Sequence, residues 1–247
     1  RFKAPESVVK EVKAANSPAI CFVDDNFLED VERAERIYQL IKDSGIRAKY
    51  WMQVRTDTIA KHPQLIEQWA EIGLDIVCIG FETWNDEVLA SYNKRVSVST
   101  NEEAARILRD NGIDIWGYFI VDPQWTKSDF DVLIDYVRGL KLLYPVFCVL
   151  TPLPGTPLFQ QKFKELCTLD YELFDEMHPV LPTRLPIEEF YSELARLYAS
   201  TRLGWDELKP RLRQKRITAS GLRRVWAAEL QTAKVFPTAV LSDLGIY

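Results

Sequence analysis

The sequence predicts an α/β fold with a parallel, barrel-like sheet. Five short runs of β-forming residues alternate with charged amphipathic stretches up to about residue 160. Each intervening stretch is long enough to return the chain parallel to the preceding strand. A helix, a glycine and a strand follow one another three times, at Gly45, Gly73 and Gly112, which favours repeated β/α units over a single wound motif.

The predicted strands are rich in β-branched and aromatic residues. In chain order they are AICFVD from Ala19, RAKYWMQV from Arg47, LDIVCIGF from Leu74, IDIWGYFIV from Ile113 and PVFCVL from Pro145. Between them, apolar residues recur at three-and-four spacing, which is typical of amphipathic helices. These helices are expected at residues 28–44, 63–72, 100–111 and 128–143.

Residues typical of helix starts support these assignments. Pro5 with Glu6 predicts the start of the first helix, and Asn85 is expected to cap the helix that follows it. In STNEEAARIL, polar residues precede paired glutamates, where another helix start is expected. After LTPLPGTPLF the pattern is helical, most clearly over residues 185–201. We therefore expect a β/α domain over residues 1–160 and a helical extension over residues 161–247 packed on it.

Composition and charge exclude several classes of protein. The 247 residues are 47% hydrophobic, which suits one domain with a large core. With 31 Lys and Arg against 36 Asp and Glu, the net charge of −5 does not attract nucleic acid. No apolar run approaches the ~18 residues that a membrane span needs, so a cytoplasmic location is expected. The chain starts at Arg1 without a signal region, which predicts that it belongs to a longer protein.

The cysteines and histidines of the chain predict no metal site. Cys21, Cys78, Cys148 and Cys167 are far apart, and the sequence contains no CxxC or CxxxCxxC spacing. We interpret them as reduced core thiols. The two histidines are expected in surface or capping positions, and no GxGxxG or Walker-type loop is present.

Polar residues lie at the carboxyl ends of the predicted strands, where α/β folds place their active sites. The first strand ends in Asp24, Asp25 and Asn26. The third ends in Glu82, and the fifth is followed by TPLPGT. We expect a functional site where these strand ends meet.

Side-chain alternation brings a cation and a carboxylate together at this edge. Gln53 and Arg55 share one face of the second strand, and Gly80 and Glu82 share one face of the third. If both faces point inward, the guanidinium and the carboxylate converge. Such a set suits a zwitterionic amino-acid group, because Arg binds its carboxylate and acidic residues bind its ammonium. A salt-bridge network that closes the barrel is the alternative for Arg55 and Glu82.

Six segments are distinctive in their order and intervals: RFKAPESVVKEV, FVDDNF, RTD, GFET, NGIDIWGYFI and LTPLPGTPLF. Together they resemble the radical S-adenosylmethionine (SAM) superfamily, specifically its cobalamin-binding branch, over residues 1 to about 160. The stretch DYELFDEMHPVLPTRLPIEEFYSELARLY also resembles hopanoid C-3 methylases. The resemblance implies a partial six-stranded (β/α)6 TIM-like barrel, of which this chain would hold the second to sixth strands and lack the first.

The resemblance also implies cofactors and partners. Members use SAM and a [4Fe–4S] cluster, and in this branch cobalamin is held by an upstream domain. The family holds the cluster with CxxxCxxC after its first strand, and this chain lacks that triad. The cluster ligands are therefore expected upstream of Arg1, and the fragment alone is expected to be inactive. An electron donor such as flavodoxin or ferredoxin is the implied protein partner.

Six positions match polar SAM contacts of the family: Asp24, Asp25, Asn26, Gln53, Arg55 and Glu82. The first three match the site of the methionyl ammonium. The next two match the strand that contacts the carboxylate or ribose, and the last matches a polar contact on the following strand.

Six further positions match the adenine and substrate sides of the family's site. The residues expected to hold the adenine are Gly117, Ile120 and Leu150. The residues expected to shape the substrate rim are Thr151, Gly155 and Thr156.

The leading functional hypothesis is a cobalamin-dependent methyltransferase that acts on an unactivated carbon of a lipid such as a hopanoid. A related radical SAM oxidative cyclase or oxidoreductase is one alternative, and a non-catalytic barrel-type binding module is another. A lipid substrate predicts an apolar or membrane-facing edge and a peripheral membrane contact, for which residues 222–241 are the candidate. The alternative for that stretch is a helix packed on the barrel.

Overall fold

A computed structural model of the chain describes residues 2–204 and 209 and has the α/β architecture that the sequence predicts. Its strands are β1 (Ala19–Cys21), β2 (Lys49–Gln53), β3 (Leu74–Glu82), β4 (Asp114–Val121) and β5 (Tyr144–Val149). They lie in the sheet in chain order, and the β1–β2 and β2–β3 pairs are parallel. A sheet in chain order with helical connections is the topology of β/α barrels.

Nine α-helices occur in the described part of the chain. They are α1 (Pro5–Ala15), α2 (Val31–Asp43), α3 (Thr56–Lys61), α4 (Pro63–Ile72), α5 (Asp86–Ser91), α6 (Val98–Asp110), α7 (Lys127–Leu140), α8 (Pro157–Lys162) and α9 (Ile187–Ser200). The predicted helix over residues 63–72 matches α4 at both ends. Helix α1 begins at Pro5 as predicted.

Capping interactions explain where several helices begin and end. The Asn85 side chain accepts hydrogen bonds from the backbone N–H groups of Glu87 and Val88, so the predicted cap of α5 is confirmed. Gly73 ends α4 with φ +114°. A Cβ at Gly73 would also overlap the carbonyl oxygen of Ala48, so both conformation and space require glycine there.

Several boundaries differ from the sequence prediction, and three of the differences lie near the predicted site. Strand β1 ends at Cys21, and residues 25–28 form a turn. The rings of Phe22 and Phe27 stack with their centroids 4.2 Å apart, and the N–H groups of these two residues donate to the Trp51 and Gln53 carbonyls. Residues 56–61 form α3 directly after Arg55. Helix α6 begins at Val98, capped by the Ser97 side chain, which places the polar residues of STNEEAARIL inside its first turn.

The inner strands bury one face and leave the other less buried, in the alternation that the sequence predicts. In β2, Tyr50 and Met52 are buried while Gln53 is exposed. In β3, Phe81 is buried and Glu82 is not. The polar face of both strands therefore carries the residues expected at the site.

The chain divides into two compact units. The first contains residues 1–118 and 142–144, and its core is an aromatic cluster in which Trp69 packs edge-on against Phe27 and Tyr50. The second contains residues 119–141 and residues from 145 onward. In its core, Phe147 packs edge-on against Tyr198 of α9. The domain boundary expected near residue 160 stays a prediction.

The region after β5 is less helical than the sequence pattern suggests. Between α8 and α9 the regular elements are two 3-10 turns, Phe163–Glu165 and Tyr171–Leu173. Backbone groups here are satisfied by other partners: the Cys167 N–H donates to the Val180 carbonyl, and the Glu176 carbonyl accepts from the Val149 N–H. The predicted apolar edge at residues 222–241 lies outside the described residues.

Among the described residues, no helix combines the length and apolar character needed to cross a membrane.

Candidate functional site

A cavity of about 140 Å³ lies in the first compact unit, where β1, β2 and β3 end. Its polar lining includes the following side chains: Asp25, Gln53, Arg55, Cys78, Glu82 and Lys94. Four of these six were predicted from the sequence, and the structure brings them together. Two cations, Arg55 and Lys94, and two carboxylates, Asp25 and Glu82, therefore share one small space at the carboxyl edge of the sheet, where β/α folds bind their ligands.

Arg55 is held by a neighbouring carboxylate. Its Nε lies 3.0 Å from Asp57 Oδ1, and its side chain is 42% exposed. Burial acts to raise the pKa of Asp57, but the hydrogen bond and charge of Arg55, together with the charge of Lys61, outweigh it and lower that pKa. Asp57 thus stays ionised and orients the guanidinium at the cavity.

Glu82 occupies an uncommon backbone conformation. Its φ is +64°, and the Thr83 N–H donates a 2.8 Å hydrogen bond to the Phe81 carbonyl. These features define a γ-turn with positive φ, which is the rare and strained form of this turn. Strained residues of this kind persist where the surrounding structure holds them, and they concentrate at functional sites.

The Glu82 carboxylate lies over Gly80 and pairs with Lys94. Lys94 Nζ is 2.6 Å from Glu82 Oε1. A Cβ at Gly80 would overlap Glu82 Oε1 and would lie 3.2 Å from Lys94 Nζ. Gly80 therefore provides the space that this ion pair occupies.

Sequence reasoning missed Lys94. It lies between α5 and α6, where strand alternation gives no information, and its backbone N–H donates to the Leu89 carbonyl at 3.0 Å. The only signal in the sequence was general: a partly buried carboxylate such as Glu82 requires a cation or hydrogen-bond donors nearby.

The three polar residues after β1 are placed in different surroundings. Asp25 lines the small cavity, whereas Asp24 lines a second cavity of about 670 Å³ beside β1 and α1. The Asn26 amide bonds on both sides: its Oδ1 accepts from the Arg55 N–H at 3.2 Å, and its Nδ2 donates to Thr58 Oγ1 at 3.4 Å. Asn26 thus joins the end of β1 to the end of β2.

Gly117, which is predicted to hold the adenine, lies against buried apolar side chains on the side where a Cβ would be. A Cβ there would meet Leu142 Cδ1 at 2.5 Å and Phe81 Cε2 at 2.9 Å. It shares this face with Phe81, opposite to Glu82. Only its backbone is positioned to contact a ligand on the other face, and its role stays a prediction.

The other predicted adenine and rim residues belong to the second compact unit: Ile120, Leu150, Thr151, Gly155 and Thr156. Ile120 lies near the end of β4, and the other four follow β5. The Leu150 N–H donates to the Val121 carbonyl at 2.9 Å, and Thr156 caps α8 by accepting from the Phe159 N–H at 3.2 Å. Gly155 has φ +86°, which suits its turn. Their contacts with ligand stay predictions.

The thiols and histidines of the described residues do not form a metal site. No group of three or more His, Cys, Asp or Glu side chains in residues 2–204 is arranged to hold a metal ion. Burial, with a smaller effect of Cys21, raises the pKa of Cys78 to about 11, so this thiol is protonated at neutral pH. His178 pairs with Asp175 at 2.9 Å, and His62 precedes α4.

Comparison with known proteins gives a family. Residues 1–137 match the sequence profile of the Radical SAM superfamily. The hopanoid C-3 methylase of Methylococcus capsulatus is 32% identical over 83% of this chain and 40% of that protein. The bacteriochlorophyllide d C-12(1)-methyltransferase of Chlorobaculum tepidum is 28% identical over 80% of this chain and 44% of that protein. The chain thus spans less than half the length of these relatives.

A solved structure shares the fold. The radical S-adenosylmethionine methyltransferase TsrM from Kitasatospora setae, solved with cobalamin and a [4Fe–4S] cluster bound, superimposes with a TM-score of 0.54 at 17% identity. The match covers 62% of this chain and 30% of that one. At this level of identity the likeness describes the fold alone.

Proposed function

This chain belongs to the radical SAM superfamily, and from that premise we propose that its cavity at the ends of β1, β2 and β3 binds SAM. We further propose that the complete protein is a cobalamin-dependent methyltransferase that acts on an unactivated carbon of a lipid such as a hopanoid. The first proposal rests on geometry, and the second rests on the relatives.

The observation that carries SAM binding is the convergence of Asp25, Arg55 and Glu82 on one cavity. SAM has a carboxylate, an ammonium group and ribose hydroxyls. Arg55 is suited to the carboxylate, Asp25 to the ammonium, and Glu82 to the hydroxyls. A volume of about 140 Å³ is below the ~300 Å³ of a small ligand pocket, so we expect it to hold the polar groups of SAM while the adenine lies outside it.

The residues present fit SAM but not the iron–sulfur cluster. The sequence lacks CxxxCxxC spacing, and the Cys78 thiol, which lines the cavity, is protonated at neutral pH. When bound, SAM supplies a methyl or 5′-deoxyadenosyl group. The residues of this chain bind and orient its polar groups and exclude water around them.

Two relatives support methyl transfer as the reaction. The proteins that resemble this chain at 32% and 28% identity are a hopanoid methylase and a bacteriochlorophyllide methyltransferase. The first of these names a lipid, which supports a lipid substrate here. Cobalamin as the methyl carrier rests on the resemblance of the six sequence segments to the cobalamin-binding branch of the superfamily.

SAM binding is tested with Arg55→Gln and a matched control. In the complete protein, prepared without oxygen, SAM affinity is measured by titration calorimetry. Loss of a hydrogen bond to a charged group costs about 1.5–3 kcal/mol, so Arg55→Gln is expected to weaken binding at least tenfold. Lys61→Gln removes the other cation near Asp57, 3.7 Å away and 69% exposed, and is expected to leave the affinity unchanged.

Methyl transfer is tested in the same preparation with a hopanoid, SAM that carries a labelled methyl group, and reduced flavodoxin or ferredoxin as the electron donor that cleavage of SAM requires. Label in the lipid supports the proposal. A protein that binds SAM and transfers no label to hopanoid would contradict the lipid substrate. A protein that does not bind SAM at all would contradict the assignment of the cavity and favour a non-catalytic binding module.

A further inference from the structure

Asn101 is a buried polar residue of helix α6 that bonds to the start of α3 and to the end of β3. It lies in the first turn of α6 and is fully buried, with 0% of its surface exposed. The residues at three-and-four spacing after it, Ala104, Ala105 and Leu108, are apolar and equally buried. An amide on this apolar face costs free energy unless its donors and acceptor are bonded.

The Asn101 amide connects the start of α3, which follows β2, to the end of β3. Its Oδ1 accepts a 2.8 Å hydrogen bond from Thr56 Oγ1, and its Nδ2 donates a 3.3 Å hydrogen bond to the Phe81 carbonyl. Thr56 is 4% exposed and directly follows Arg55. Phe81 directly precedes Glu82. One side chain thus holds the neighbours of Arg55 and Glu82, two of the charged residues that line the cavity.

The Phe81 carbonyl has a second role, because it also closes the γ-turn at Glu82. It accepts from the Thr83 N–H at 2.8 Å in addition to the Asn101 amide. A positive φ at Glu82 is unfavourable unless other contacts hold the turn. The hydrogen bond from Asn101 fixes the Phe81 carbonyl that closes the turn. Because Asn101 is buried, both partners of this bond are shielded from water.

We propose that Asn101 is a positioning residue for SAM binding: through Thr56 and the Phe81 carbonyl it holds Arg55 and Glu82 in the geometry that the cofactor requires. This inference rests on the proposed function of the cavity. Asn101 lies behind the two strand ends and acts through them. Nothing in the cavity needs to touch it.

The test uses Asn101→Asp, which keeps the size of the side chain and the acceptor for Thr56 but loses the donor to Phe81. The matched control is Asn111→Asp at the opposite end of α6, where Asn111 Nδ2 donates to the Ile107 carbonyl at 3.0 Å. Both changes remove one amide-to-carbonyl bond from the same helix. The complete protein is titrated with SAM, and exchange of the Thr83 amide hydrogen is measured by NMR without SAM.

Asn101→Asp is expected to weaken SAM binding about tenfold or more and to speed exchange of the Thr83 amide about tenfold. Asn111→Asp is expected to change the SAM affinity and the exchange rate of the Thr83 amide less than twofold. If wild-type protein binds SAM and Asn101→Asp binds it equally well, the inference is wrong and the proposed function stands. If wild-type protein does not bind SAM, the proposed function fails, and with it the role of Asn101 in binding.

A second pair of variants covers the case in which Asn101→Asp does not fold. Thr56→Val keeps the shape of Thr56 and removes the hydroxyl that Asn101 accepts from. It is expected to weaken SAM binding several-fold, and Thr56→Ser, which retains the hydroxyl, is expected to bind as wild type. Equal binding by the Val and Ser variants would overturn the inference.

Discussion

Lys94 Nζ lies 2.6 Å from Glu82 Oε1, and the carboxylate in this pair lies over Gly80. The two side chains come from different elements, the end of β3 and the segment between α5 and α6. The pair is partly buried, with side-chain exposures of 31% for Lys94 and 15% for Glu82. Its geometry depends on the absence of a side chain at position 80.

Gly80→Ala is expected to displace the Glu82 carboxylate and to weaken SAM binding about tenfold, because the added methyl group would overlap Glu82 Oε1. The fold is expected to persist, since the group that must move is the end of a flexible side chain. Titration of the complete protein with SAM measures the effect. The control is Gly139→Ala in α7, where nothing lies within 4 Å of the new Cβ.

Gly139→Ala is expected to leave SAM binding unchanged and to stabilise the protein by about 0.5–1 kcal/mol, because alanine favours the helix. SAM affinity equal to wild type in Gly80→Ala would show that the position of the Glu82 carboxylate does not affect binding.

Glu82→Gly and Glu82→Ala are expected to differ in stability while losing SAM binding alike. Both remove the carboxylate, but only glycine adopts φ +64° without strain. The left-handed region costs other residues about 1–2 kcal/mol, so the glycine variant is expected to be more stable than the alanine variant by about 1 kcal/mol. Urea unfolding measures the difference. An alanine variant as stable as the glycine variant would mean that the turn is not strained.

Cys78 is expected to resist alkylation at neutral pH. Burial raises the pKa of its thiol to about 11, and the thiolate is the reactive form. With iodoacetamide at pH 8, mass spectrometry should show Cys78 reacting much more slowly than the exposed Cys167. The rate at Cys78 should rise about tenfold per pH unit up to that pKa. Similar rates for the two thiols at pH 8 would contradict this expectation.

Asp57 is expected to make the free energy of unfolding depend on pH in the acidic range. Its pKa in the folded protein is lowered, so its contribution to stability is present above the pKa of the unfolded state, ~3.9, and is lost as pH falls through the folded value. The difference in unfolding free energy between wild type and Asp57→Asn should therefore be largest near pH 6 and shrink below about pH 4. Urea unfolding across this range checks it, and a difference that is constant with pH would contradict the role of Arg55.

Strand alternation explains why much of the cavity could be predicted. Gln53, Arg55 and Glu82 were placed on one face from their positions alone, and the structure puts them at one cavity. The two-residue period is local in the sequence, and the length of the helical connections predicts that neighbouring strands are parallel. Residues between the strands follow no such period.

The residues that were missed depend on contacts between distant elements. Lys94 lies outside regular structure. Asn101 was expected near a helix start, but Ser97 caps α6 earlier and places Asn101 on the buried face. An asparagine at three-and-four spacing with buried apolar residues was a usable signal, because buried amides need specific partners. Its two partners, 45 and 20 residues away in the chain, follow from tertiary structure alone.

All the lining residues of the small cavity that the structure describes fall between positions 25 and 96, within the first compact unit. The residues predicted to face the substrate, from Thr151 onward, belong to the second. If the proposed function holds, mutations in the second stretch would alter the choice of substrate while every side chain of this cavity is inherited unchanged. Divergent descendants of such a gene would then keep one cofactor and acquire different substrates.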